Sequence, residues 1–177
     1  AEMGLALRRH DAILRAAIEV HHGYVFKTVG DEFCAAFASA SDALEAAIAL
    51  QQALFAEPWP LTLAGADARG RPKGIRVRAG LHAGEVEERG GDYFGPVVNR
   101  SARLMAVAHG GQVVLSQAVY DLLSASGWAN VELRDLGLRR LRDLSLPEHI
   151  YQVLIPGLPT EFPPLNTLDI RPNNLPA

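Results

Sequence analysis

With a single cysteine in 177 residues, Cys34 cannot form an internal disulfide, and the expected setting is reducing and cytoplasmic. No apolar run approaches the ~18 residues of a membrane span, and no signal-peptide pattern is present. An excess of one charge is missing as well. The formal net charge of −3 gives no basis for binding nucleic acid or an anionic membrane. His21, His22, His82 and His109 lack metal-ligand spacing and read as structural or surface residues. The chain opens with Ala1-Glu2, and Met3 runs at once into helical pattern, which is expected of a piece cut from a longer protein. What is present is ordinary globular material. The chain is 49% hydrophobic, enough for one domain with a sizeable core, or one domain plus a tail.

Helical apolar spacing runs from about Leu5 to His21 through Leu5, Leu7, Ile13, Leu14, Ala17 and Ile18, with Gly23 as the stop. Residues 24–29 and 32–38 read as two strands around a Gly30-Asp31 turn. "SDALEAAIALQQALF" reads as a second amphipathic helix, capped by Ser41 or Asp42 with Glu45 completing a capping box. Residues 61–74 read as a loop. "IRVRAGLHAGEVEER" alternates like strands, "GGDY" turns, and a third helix begins near Pro96 and ends before Gly110-Gly111. "QVVLS" reads as a buried strand whose Ser116 caps the helix "QAVYDLL". "VELRDLG" and "EHIYQVLI" read as closing strands. This mixture of hairpins and helices predicts an α+β domain, with helices packed on a mixed or antiparallel sheet. Six of the eleven prolines fall in the last 22 residues. The expected division is therefore a domain over 1–155, followed by a Pro-rich linker or surface-hugging tail over 156–177.

Two stretches carry chemistry. In "YVFKTVGDEF", Asp31 stands at a hairpin tip, where a carboxylate can ligate a hard divalent cation or simply serve the turn. In "GDYFGPVVNRSARLM", Asn99 and Arg103 lie four apart and share one helix face, while Arg100 lies on another. One amide beside one guanidinium suits a sugar and a phosphate. It equally describes an exposed polar pair.

"KTVGDEF", "GLHAGEV", "GDYFGPVVNRSARL" and "GGQVVLS" stand in the order and approximate spacing of the class III nucleotide cyclases. Residues 5–155 resemble that adenylyl/guanylyl cyclase catalytic domain. The resemblance implies a ferredoxin-like βαββαβ core working as a head-to-tail homodimer with composite sites, each holding two Mg²⁺ or Mn²⁺ ions. Carried over residue by residue, Asp31 matches the second metal-binding aspartate, and Lys27 with Asp92 matches the pair that reads the base. Asn99 resembles the residue that orients the ribose, and Arg103 the one that stabilises the transition state. Arg142, or Arg140 in a shifted register, falls where a basic residue grips the terminal phosphates. Adenine presents an acceptor at N1 and a donor at N6, which a lysine and a carboxylate complement. The implied reaction is ATP to 3′,5′-cyclic AMP and pyrophosphate. Lys27 and Asp31 lie roughly 13 Å apart on extended chain, and the resemblance assigns them to different composite sites.

The family's first metal-binding aspartate, in a pattern like Phe-x-Asp-x-x-Gly-x-Thr, has no counterpart in this sequence. Asp11 lies within the helix pattern and is no substitute. The expectation is a strand encoded upstream, a complete cyclase in the parent protein, and little activity in this chain. The tail resembles the connector to an ATPase module in large bacterial regulators. The competing reading is a non-catalytic nucleotide-sensing or dimerising module that regulates such an ATPase. Glu32 is expected to face solvent and Cys34 the core. A diguanylate cyclase reading rests on "GDEF" alone and leaves Asn99, Arg103 and the Lys27–Asp92 pair unexplained. A helix-on-sheet domain with no nucleotide site is the plainest alternative.

Overall fold

The computed structural model describes residues 2–60 and 74–168. The predicted loop over 61–74 therefore lies almost entirely outside the described residues. The first helix, α1 (Glu2–Val20), buries Ala6, His10, Ile13, Leu14, Ala17 and Ile18, a stripe at i, i+3/i+4 spacing. Leu5 and Leu7 fall off that stripe and are exposed, so the predicted apolar face is right in its second half only.

A hairpin follows, β1 (Tyr24–Val29) against β2 (Glu32–Ala36). Gly30 takes a positive φ of 62° at its tip, a backbone that glycine adopts without a Cβ penalty. The second helix, α2 (Ala40–Ala56), is capped by Ser39, whose Oγ accepts from the Asp42 N–H at 3.3 Å. The predicted cap at Ser41 or Asp42 is thus displaced toward the N-terminus. Glu45 closes no capping box there, and its carboxylate instead lies 3.5 Å from the Trp128 indole N–H.

The main sheet has four strands: β3 (Ala79–Leu81), β6 (Val113–Ser116), β8 (Glu148–Leu154) and β7 (Glu132–Arg139), in that order. β3 and β6 are parallel and the other pairings antiparallel, so the sheet is mixed as expected. Residues 75–78, predicted as strand, form no ladder in the structure, although Ile75 and Val77 still turn inward against α1 and α2. A second hairpin, β4 (Glu87–Arg89) with β5 (Asp92–Phe94), turns at Gly90-Gly91.

Two more helices, α3 (Pro96–Val107) and α4 (Gln117–Ala125), complete the described elements. Strand alternation sorts the core between the two sheet faces. Val113, Leu115, Tyr151 and Val153 meet α2 and α4 on one face. Val114 and Ile150 meet Leu104 and Val107 of α3 on the other, together with Leu141 and Leu165. The stretch 156–168 is held against the domain. Leu165 is buried, and the Asn166 and Leu168 N–H groups donate to the carbonyls of Val107 and Arg140.

Candidate active site

Helix α3 carries Asn99 and Arg103, and its seat is determined by a glycine. A Cβ at Gly80 would lie 2.6 Å from the Met105 backbone nitrogen, so only glycine lets α3 come this close to β3. Ser101 Oγ then donates to the Gly80 carbonyl at 3.4 Å, and Arg78 to that of Ala106 at 3.2 Å. On another side of the helix, Arg100 donates to Glu148 Oε2 at 2.7 Å, and Glu148 is buried at the start of β8. This ion pair ties α3 to the start of β8, an interior strand of the sheet. Desolvating one carboxylate is tolerable because it is both paired and hydrogen-bonded, its Oε1 accepting from the Gln117 N–H at 3.3 Å.

Ser116 is the N-cap residue of α4, as expected, although its side chain makes no capping hydrogen bond. It is fully buried and pairs with His82 Nδ1 at 2.8 Å. Burial pushes the His82 pKa down, the nearby Glu148 pulls it up, and Arg100 lowers it further.

Asn99 is exposed and Arg103 half-exposed. The Arg103 guanidinium lies 2.7 Å from the Asp143 carboxylate, and Asp143 itself has a left-handed φ of 59°. Arg103, Arg140 and Arg142 line one cavity of about 570 Å³, which includes both candidate registers for the phosphate-gripping residue. Ala106, Val107 and the segment Pro164–Leu168 complete the lining.

The second group of site residues lies on the hairpins. Phe26 of β1 meets Tyr93 of β5 edge-on, with ring centroids 5.0 Å apart. That contact brings Lys27 and Asp92, each next to one of these rings, into one neighbourhood. Both act on the Cys34 thiol, whose pKa is raised chiefly by burial and then by Glu32; Lys27 opposes the rise and Asp92 adds to it. Cys34 is only half-buried, at the ladder position opposite Lys27, rather than deep in the core. Glu32 is exposed, as expected, with a carboxylate oxygen 3.9 Å from the Cys34 sulfur. Asp31 stands exposed at the hairpin tip.

Among the described residues no group of three or more His, Cys, Asp or Glu side chains could hold a metal ion. Asp31 fits the part of a single ligand to an ion that also binds substrate phosphates. It makes no two-metal centre with other carboxylates among the described residues.

The sequence reading missed Asp143, Glu148, the His82–Ser116 pair and the 164–168 wall. Asp143 could have been suspected from its place beside Arg142. Glu148 lies 48 residues from Arg100 and had no local signal.

Comparison with known proteins places this architecture. The family model for the adenylate and guanylate cyclase catalytic domain matches residues 1–143. The chain belongs to this family. An uncharacterised protein of Mycobacterium tuberculosis is 41% identical over 98% of this chain, which spans 56% of that relative's length. An adenylate cyclase of Mycosarcoma maydis is 33% identical over 88% of the chain and 7% of its own length. Among solved structures, an adenylate cyclase from Trypanosoma brucei in its monomeric state superposes with a TM-score of 0.81 at 29% identity. That match covers 93% of this chain and 83% of the other. A Silicibacter pomeroyi adenylate/guanylate cyclase/hydrolase gives 0.70 at 27%, covering 87% and 86%. The fold is thus the α+β cyclase fold, with its mixed sheet and packed helices. Cyclase domains bind nucleotide substrates, use divalent metal ions and act as dimers. No helix among the described residues is long and apolar enough to cross a membrane.

Proposed function

We propose that this cyclase domain serves ATP cyclisation in a complete head-to-tail homodimer. The ribose 3′-oxygen attacks the α-phosphorus in line. The new O3′–Pα bond forms as the Pα–O bond to the β-phosphoryl group breaks, the hydroxyl proton is released and pyrophosphate leaves. Asn99 orients the ribose and Arg103 neutralises charge at the reacting phosphorus, as positioned donors do in phosphoryl transfer. Lys27 and Asp92 read the adenine edge, and Arg142 holds the terminal phosphates. Mg²⁺ or Mn²⁺, two ions per complete site with Asp31 as one ligand, would activate the nucleophile and neutralise the leaving group.

The observation that carries this reading is the convergence of Arg103 and Arg142 on one cavity, from elements about 40 residues apart. The test is cyclic AMP formation from ATP with Mn²⁺ by the longest natural protein containing residues 1–177. Asn99→Ala and Arg103→Ala should each lower turnover by about 10²-fold or more. Undiminished turnover in both would overturn the assignment. The 177-residue chain alone should turn over ATP weakly or not at all, since no residue in it matches the first metal aspartate. That same gap favours, as a second reading, a nucleotide-sensing or dimerising module coupled to an attached ATPase. Nucleotide binding without cyclic AMP formation by the longer protein would select it.

A further inference from the structure

The arginine cavity is lined in part by residues that follow the catalytic family match, which ends at 143. Segment 160–168 is anchored by side chains from several elements. Gln152 and Arg134 donate to the Thr160 carbonyl at 2.7 and 3.2 Å, and His109 Nε2 lies 2.9 Å from that of Pro164. Leu165 is buried with Leu104, Val107 and Leu141. The Asn166 N–H donates to Val107 at the end of α3, and the Leu168 N–H to Arg140. The segment thus bonds to both elements that supply the arginines.

Thr167 lies on this wall. It is 9% exposed, and its Oγ1 is buried without a hydrogen-bond partner among the described residues. A buried hydroxyl left unpaired is a standing cost. The neighbouring guanidiniums are donors only and cannot satisfy its O–H. A phosphate oxygen could, met by the hydroxyl through a change of χ1 rotamer.

We propose that residues 164–168 form a wall of a di- or triphosphate site, with the Thr167 hydroxyl donating to a phosphate oxygen beside Arg103, Arg140 and Arg142. The identity of the anion rests on the cyclase reading above. The wall makes the site depend on chain beyond the matched catalytic region.

The test is calorimetric titration of the 177-residue chain with inorganic pyrophosphate in metal-free buffer, alongside Thr167→Val and Arg142→Ala. The parent should bind saturably. Thr167→Val should weaken binding about tenfold, the value of one charge-assisted hydrogen bond, and Arg142→Ala by at least as much. Without pyrophosphate, the melting temperature of Thr167→Val should equal or exceed the parent's, because the swap removes an unpaired hydroxyl and keeps the shape. Equal affinity of Thr167→Val and parent overturns the proposal. So does an absence of saturable binding, or binding indifferent to Arg142→Ala. No turnover is required. Thr167-dependent binding by this chain, with no cyclic AMP formed by the longest natural protein containing residues 1–177, would remove the catalytic reading and leave the site standing.

Discussion

In the proposed function, Lys27 and Asp92 are the residues on which base preference turns. They sit on different hairpins, and the Phe26–Tyr93 contact keeps those hairpins together. The lysine can only donate and the carboxylate only accept, so the pair has a fixed polarity toward a nucleobase. Lys27→Glu reverses half of that polarity and sets a second carboxylate beside Asp92. In the protein assayed for cyclic AMP formation it should lower kcat/KM for ATP about tenfold or more, since an unpaired buried base edge is costly. An unchanged preference for ATP over GTP would remove Lys27 from the base pocket. The places of Asp31 at a hairpin tip and Asn99 on a helix were readable from motif alone because hairpin tips and helix faces are local. The partner of Arg103 was not, since Asp143 lies 40 residues further along and meets it through folding.

At the scale of elements, the position of α3 is the property that matters most for the site. Its closest approach is to the backbone of β3 at Gly80, where the atoms in the way are the Met105 N and Cα. Backbone cannot rotate aside as a side chain can, so Gly80→Ala must lift the helix. The expected cost is about 2 kcal/mol, within the usual range for overpacking, with Asn99 and Arg103 displaced together. Urea denaturation checks the first part. Crystallography of the variant checks the second, and an unmoved α3 would refute it. Element boundaries also show how tertiary partners redirect local chemistry. Ser116 has a cap residue's identity and position, yet its hydroxyl goes to His82, which follows β3, the parallel neighbour of β6. Likewise Glu45 is drawn to Trp128, and Ser39 caps α2 in place of the residues the pattern favoured.

At the scale of the whole molecule, His82 reports on global stability. Its folded pKa lies below the unfolded value of about 6.5, so the unfolded chain binds more protons as the solution is acidified. Its contribution is therefore complete above about pH 6.5 and is lost as the pH falls through that value toward the depressed folded pKa. Thermal melts at pH 7.5 and 5.5 should show a smaller loss in His82→Asn than in the parent. An equal loss would contradict the assignment.

The helices, both hairpins and the buried β6 strand follow from apolar period and turn residues, which act over a few positions. Motif order carried the family. The Arg100–Glu148 and Arg103–Asp143 pairs, and the placing of 164–168 against three arginines, had no such local cause. They join residues dozens of positions apart, and they exist because α3, the end of β7 and the final segment pack on one face of the sheet. Which segments share a face depends on the summed burial of the entire chain, so this half of the arginine-lined cavity emerges only once the chain is folded.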